Sequence, residues 1–256
     1  MNLIKGDCLI ELKKLKDKSV DFVYLDLPYG QTACKWDNKI DLQDLWIELK
    51  RIARNDRTPF FFSCTTKFGF DLIEANKSWF RWDLVWKKNR AAGFLNAYKL
   101  PMRKHEMVYC FAKKTPEYDV SSHNKGKTRK IKPTAPKAEI YGITSLSKSY
   151  IFERDLPLPT SDITQEEQPN SWCEFNLDTN TGHRTAKPIK LMEFLLKYWT
   201  KEGQIILDPT MGSGSMGIAC QNMNRNFIGI EMDKNIYELA KERISDAKSI
   251  KKSKTK

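Results

Sequence analysis

The chain has 256 residues, 40% of them hydrophobic, enough to bury one large α/β domain or a core that carries an insertion. A net charge of +12 and a pI of about 9.3 favour a polyanionic partner, because lysine and arginine neutralise phosphates and release counterions. No run approaches the roughly 20 apolar residues that span a bilayer, no signal-peptide core follows Met1, and the cysteines form no C-x-x-C pair; this disfavours a membrane partner, a disulfide framework and a metal site, and a cytoplasmic protein is expected.

Residues 2 to 5 read as a short strand that ends at Gly6-Asp7, where Asp7 suits the N-cap of a following helix. Glu11 to Lys18 reads as a short charged helix or loop. The apolar run from Val20 to Leu25 reads as a buried strand. It runs into Asp26-Leu27-Pro28-Tyr29, at the strand end where open α/β sheets bind ligands. Asp26 and the Leu27 carbonyl can accept the two hydrogens of an exocyclic amine. Pro28 stiffens the turn, and Tyr29 offers a face on which a flat base can stack. A plain strand followed by a proline turn fits the same four residues. Gly30 to Trp36 reads as a mobile loop that could close over a base.

Asp41 caps a helix whose stripe of Leu42, Leu45, Trp46, Leu49, Ile52 and Ala53 reads as core. Thr58 to Cys64 reads as a strand, Lys67 to Asn76 as a helix and Phe80 to Trp86 as a strand. This βαβα rhythm argues for a mostly parallel sheet covered on both faces. Lys87, Lys88 and Arg90 then mix with Phe94 in a stretch that suits a loop near a phosphate backbone; a solvated basic loop fits equally. Met107 to Phe111 should be another strand, with His105-Glu106 before it in a local turn.

Residues 115–180 change character. Ser121 to Tyr150 carries seven Lys or Arg against one Glu, whereas Ile151 to Asn180 carries seven acids against one Arg, and prolines interrupt both. The stretch reads as an inserted recognition region between two patterned halves, 1–114 and 181–247. Lys125, Lys127, Arg129, Lys130 and Lys132 are its candidate DNA contacts. Pro188 suits the first turn of a helix whose buried face is Ile189, Met192, Leu195, Leu196 and Trp199. Gln204 to Ser215 reads as strand, acid, glycine turn and helix, and Asn226 to Glu231 as a strand that ends in a carboxylate. This is a nucleotide-cradle pattern. Gly212, Gly214 and Gly217 match the dinucleotide spacing only if the turn starts at Gly212. Asp233 caps a last helix through Ala247, and 248–256, with five lysines in nine residues, reads as a disordered basic tail.

Taken together, Lys5 to Leu9, Asp26 to Gly30, Gly93 to Ala97 with His105-Glu106, and His183 to Ile244 resemble the beta class of DNA amino-methyltransferases, in which the catalytic tetrapeptide precedes the cofactor loop. The resemblance implies a Rossmann-like α/β fold with permuted motif order and S-adenosylmethionine as cofactor. It implies double-stranded DNA as partner and allows a homodimer. It puts Asp7, with Cys8 beside it, by the cofactor's adenine, Lys187 and Pro188 beside its methionine end, and Asp208, Pro209, Gly212, Ser213, Gly214 and Ser215 in the loop around it. Glu231 is implied to hold the ribose. Asp at the first tetrapeptide position goes mostly with adenine in this family, and Ser mostly with cytosine. Four positions depart from the family pattern: Leu27 and Arg184 stand where Pro is usual, Thr210 where Phe is common, and Ser215 where Thr is usual.

The expected reaction is direct methyl transfer to N6 of a flipped adenine, with Asp26, Leu27, Pro28 and Tyr29 as its catalytic set. N4 of cytosine is the alternative target. Transfer to cytosine carbon-5 is disfavoured because no cysteine sits in a Pro-Cys dipeptide. An RNA or protein-amide methyltransferase, a nicotinamide oxidoreductase and a non-catalytic DNA-binding protein remain open on the residues alone.

Overall fold

The computed structural model describes residues 1–30, 39–119, 170–179, 181, 182 and 185–254, with 248–254 described by backbone alone. Among them, β1 (Asn2–Lys5), β2 (Phe22–Leu25), β3 (Phe60–Cys64), β4 (Phe80–Ala92), β5 (Arg103–Phe111), β6 (Trp172–Glu174), β7 (Ile205–Asp208) and β8 (Asn226–Glu231) form one sheet, in the order β1-β8-β7-β2-β3-β5-β4-β6. Every pairing is parallel except those of β5, which runs against β3 and β4.

Strand periodicity explains the layers. Successive side chains point to opposite faces. From β2, Phe22 and Tyr24 enter one core and Val23 and Leu25 the other. The first core is closed by α4 (Ile189–Trp199), α5 (Ser215–Asn222) and α6 (Lys234–Lys254). The second is closed by α1 (Cys8–Leu12), α2 (Leu42–Ile52) and α3 (Thr66–Ala75). All four residues of β2 and all five of β3 are buried, as expected of strands covered on both faces. Trp46 anchors the second core, with ring centroids 5.3 Å from Phe62 and 5.4 Å from Phe111; each such aromatic pair is worth about 0.5–1.5 kcal/mol beyond the area it buries.

Local caps follow the residue types. Asp7 Oδ1 accepts from the Ile10 amide, Asp41 Oδ1 from Gln43 and Asp44, and Asp233 Oδ1 from Asn235 and Ile236. Pro188 sits one position earlier than expected: it is the N-cap of α4, and Ile189 is the first helical residue. Leu191 and Tyr198 join the expected stripe, so α4 is buried around most of its circumference.

Three expectations are corrected. Lys87, Lys88 and Arg90 do not form a loop, because β4 continues through them to Ala92. His105-Glu106 is not a turn but part of β5, opposite Lys87 and Trp86. The stretch from Lys248 is not a disordered tail as far as Lys254, because α6 runs that far; lysine is a good helix former, and a preceding helix needs only to propagate. The expected closing loop from Gln31 to Trp36, the basic cluster Lys125, Lys127, Arg129, Lys130 and Lys132, and Arg184 lie outside the described residues.

The sheet has a switch point that matters for the site. β2 and β7 are parallel neighbours, with Phe22 beside Ile206 and Val23 beside Leu207. The chain leaves β2 toward α2 on one face and leaves β7 toward α5 on the other. Their C-terminal loops therefore diverge and open a crevice, where ligands bind in doubly wound sheets.

Candidate active site

Extending the register of β2 and β7 past their ends sets Asp26 beside Thr210. The contact exists: Thr210 Oγ1 donates to the Asp26 carbonyl at 3.3 Å. The two stretches singled out by sequence thus meet at the crevice. Leu27 is 3% exposed and packs in the second core, so an apolar side chain suits the position, while its role in the reading above needs only its backbone. The Tyr29 hydroxyl lies 3.0 Å from Asp26 Oδ1 and 3.2 Å from the Ser63 carbonyl, so its single proton is offered to two acceptors. Its ring rests against Phe68, at 5.1 Å between centroids. Burial, then the nearby Asp26 and Glu106 charges, hold the Tyr29 phenol well above the usual range, so it remains a donor.

A chain of alternating charges leads away from Asp26. Lys187 Nζ donates to Asp26 Oδ2 and lies 3.7 Å from Glu106 Oε2; Lys88 Nζ donates to Glu106 Oε1. These side chains are largely covered: Lys187 is 11% exposed, Lys88 12%, Glu106 16% and Asp26 25%. Burial alone would raise the Glu106 carboxyl, but Lys187 and Lys88 outweigh it and hold it below the usual range. Burial likewise opposes the Lys187 charge, yet Asp26 and Glu106 raise its ammonium above the usual value. Glu106 and Lys187 are therefore each held in the charged form by their neighbours.

Lys187, expected at the cofactor's methionine end, has its ammonium on the catalytic candidate Asp26. Lys88, expected on DNA, is committed to Glu106. Lys87 pairs with Glu174 at 2.9 Å and keeps a third of its side chain exposed, and Arg90 is exposed. Glu106 was assigned no role in the site from sequence. Its signal was a carboxylate at the head of the apolar run Met107–Phe111.

The second half of the site is the loop after β7. Gly212 and Gly214 have φ of +50° and +83°, conformations that residues with a Cβ rarely adopt, and a Cβ on Gly214 would also meet Ile244 at 2.9 Å. Glu231 organises this loop. Its Oε2 accepts from the Gly212 amide at 3.0 Å and its Oε1 from the Asp233 amide at 2.8 Å, while its carbonyl accepts from Gly6. Burial raises the Glu231 carboxyl despite these amide donors. Because Lys5 pairs with Glu231 across β1 and β8, Gly6, Asp7 and Cys8 emerge next to it. The Cys8 thiol is pushed up to about 11, mainly by burial and then by Asp7, so it is a neutral wall group.

Asp208 and Pro209 are buried. Burial drives the Asp208 carboxyl well above the usual range, although Oδ1 accepts from Thr210 at 3.2 Å. Ser213 is turned away to Arg243, which donates to its carbonyl and, at 2.7 Å, to its hydroxyl. Ser215, at the start of α5, keeps a buried hydroxyl with no hydrogen-bond partner among the described residues. The expected site residues outside 120–169 are thus gathered at the crevice, apart from Lys87 and Arg90 on β4. Among the described residues, no group of His, Cys, Asp and Glu could hold a metal ion, and no helix is long and apolar enough to cross a membrane.

Comparison with known proteins bears on what such a crevice serves. Type II methyltransferase M.HinfI of Haemophilus influenzae is 23% identical over 272 aligned positions, covering 96% of this chain and 68% of that protein. The structure of the M1.HpyAVI–SAM complex superposes with a TM-score of 0.60 at 24% identity, covering 94% of this chain and 98% of that one. That of the cytosine-N4-specific PvuII DNA methyltransferase gives 0.63 at 14% identity, covering 96% and 90%. At these identities the structural likeness speaks for the fold. The N6/N4 methyltransferase family model, described as DNA methylase, matches residues 20–242. That span takes in the tetrapeptide, the glycine loop and the charge chain that joins them, and the chain therefore belongs to the N6/N4 family of DNA methylases.

Proposed function

We propose that this protein transfers a methyl group from S-adenosylmethionine to N6 of an adenine flipped out of double-stranded DNA. The observation that carries the reading is the Asp26 carboxylate at the end of β2, beside the glycine loop that follows the neighbouring β7 and is organised by Glu231 at the end of β8. The walls suit the cofactor. Gly212 leaves the backbone open to close approach, Gly214 makes the turn against Ile244, the Ser215 hydroxyl is a buried group without a partner among the described residues, and Asp7, Asp208 and Glu231 supply acidic groups for hydroxyls and an ammonium. Asp7, Cys8 and Pro209 shape the same wall, Ser213 ties the loop to Arg243 behind it, and Pro188 sets the start of α4 beside Lys187.

The bound cofactor supplies a methyl on a sulfonium, a leaving group that needs no further activation. The protein's part is placement and charge. Asp26 and the Leu27 carbonyl accept the two amine hydrogens, which turns the nitrogen lone pair toward the methyl. As the new N–C bond forms and the S–C electron pair stays on sulfur, positive charge grows on nitrogen, and the Asp26 carboxylate stabilises it. The methylated nitrogen then loses a proton to solvent. Tyr29 fixes Asp26 through its hydroxyl and offers its ring to the base. Half-buried Lys87 and exposed Arg90, together with the basic half of the 115–180 recognition region, supply the phosphate contacts. Relatives named Type II methyltransferases fit a role in restriction-modification.

Adenine is favoured over cytosine because the tetrapeptide opens with Asp, which in the family resembled goes mostly with adenine, whereas Ser goes mostly with cytosine; the hydrogen-bonding chemistry of Asp26 serves either amine. DNA from cells that express the protein, digested to nucleosides and analysed by mass spectrometry, should contain N6-methyladenine. N4-methylcytosine as the sole product would overturn the adenine assignment. Long-read sequencing of the same DNA gives the methylated site.

Glu231→Ala should weaken S-adenosylmethionine binding by roughly 1.5–3 kcal/mol, the value of hydrogen bonds to a charged group. The loss has two sources, the direct contact and the freed Gly212 amide. Calorimetric titration checks it, and an unchanged affinity would move the cofactor away from this loop.

A further inference from the structure

The hairpin joining β4 and β5 carries an apolar tip that neither core uses. Every residue from Asn89 to His105 is exposed. Phe94 is 79% exposed, Leu95 92%, and Tyr98 fully so. Isolated exposed apolar residues are ordinary, but a run of them on one projection marks a contact surface.

The tip is built rather than slack. Gly93 takes φ of +93°, with open space around the place of a Cβ, and starts a 3-10 turn over Phe94–Asn96. Asn96 donates to the Gly93 carbonyl at 2.9 Å, Ala97 to Phe94 at 3.1 Å, and Leu100 to Asn96 at 2.9 Å. Below the tip, five steps along β4 from Lys87 to Ala92 face two along β5 from His105 to Arg103. Such an irregularity re-aims a hairpin.

Charge identifies the partner. Between Asp83 and Glu106 the chain has six Lys or Arg and no acid. A second copy of this chain, itself at +12, would meet the hairpin with like charge. A duplex offers phosphates to the flanks and stacked bases to the tip. The root is fixed to the catalytic group through Lys88, Glu106, Lys187 and Asp26. From Lys88 the chain can extend at most roughly 20 Å to Phe94.

We propose that Phe94 and Leu95 form a wedge that enters the DNA stack as the target base leaves it, while the basic flanks of the hairpin hold the adjoining phosphates. Apolar side chains used in this way replace part of the stacking lost on opening a step. The inference rests on the methyl-transfer reading above and adds to it the device that opens the helix.

The test compares wild type with the Phe94→Ala/Leu95→Ala double variant, both full length, on two duplexes carrying the site found by sequencing. One is fully paired; in the other the target base lies opposite an abasic position, where it leaves the stack at lower cost. Both substituted side chains are exposed, so melting temperature and cofactor affinity should not change. The variant should methylate the paired duplex roughly 10- to 100-fold more slowly, the rate equivalent of part of an unstacking cost, and recover most of that loss on the abasic duplex. Undiminished rates on the paired duplex would overturn the proposal. So would an equal loss on both duplexes, which would make the tip a sequence contact, or a change of oligomeric state in sedimentation, which would give it to a second copy. If wild type methylates neither duplex, the methyl-transfer reading itself fails, a result distinct from all of these.

Discussion

Asp26→Ala is expected to lower methyl transfer by on the order of 10³-fold, the scale of losing a preorganised charge-stabilising group, while S-adenosylmethionine affinity stays within a few-fold. The separation follows from position. Asp26 lies at the end of β2 with Lys187 and Tyr29, whereas the glycine loop is held by Glu231 from β8. The alanine variant also strands Lys187, whose nearest remaining carboxylate oxygen is Glu106 Oε2 at 3.7 Å. A loss of activity could then reflect a disturbed pocket. Asp26→Asn answers this point, because it keeps the shape and an acceptor for Tyr29 and removes only the charge. It should melt near wild type, bind cofactor and still lose about 10²-fold or more in single-turnover transfer. Near-normal turnover in the asparagine variant would remove Asp26 from the chemistry.

The second large effect is on Lys187→Met. Lys187 is the one described cation that bridges Asp26 and Glu106. Breaking a buried ion pair costs about 3–5 kcal/mol, and the lower end applies because Asp26 is a quarter exposed. The dependence on pH has a definite sign. The Glu106 carboxyl is held below its ordinary 4.5 in the folded protein, so its contribution is present above that pH and is lost as pH falls through the lower folded value. The Lys187 ammonium is held above its ordinary 10.5, so its contribution is present below that pH and is lost as pH rises through the higher folded value. The stability gap between wild type and variant should therefore be widest at neutral pH and close toward both extremes. Denaturant unfolding across pH checks this, and a gap independent of pH would show that Lys187 acts through packing alone. Turnover should fall by about 10²-fold as well, because Asp26 loses the group that fixes its second oxygen.

The parts of the site that could be read in the sequence were those with local signals. An apolar run ending in Asp-Leu-Pro-Tyr, and another ending in an acid and two glycines, each announce a strand and the turn after it. Neither run states that the two strands are neighbours; that comes from the crossing of β1 to β2 over two strands inserted from the far end of the chain. The charge chain, beyond the carboxylate of Glu106 at the head of an apolar run, had no local signal. Lys187 lies 161 residues from Asp26 in sequence, and Lys88 and Glu106 meet only because β4 and β5 pair. The same pairing explains the misread basic loop. Charged residues are depleted in strands, so Lys87 to Arg90 looked like the end of one, yet Lys87 and Lys88 are each paired with a carboxylate of a neighbouring strand and Arg90 points to water. The reach of α6 to Lys254 was missed for a related reason: clustered lysine suggests a solvated tail, and a helix already formed can carry it.

The most direct measurement is transfer of labelled methyl from S-adenosylmethionine to unmodified duplex DNA by the purified protein, with wild type and Asp26→Asn side by side and the product digested to nucleosides. The expected result is label from wild type on an exocyclic amine, as N6-methyladenine, and little or none from the variant. Label on cytosine carbon-5, no label in DNA, or equal label from both proteins would contradict the assignment of Asp26 as the group that addresses the amine.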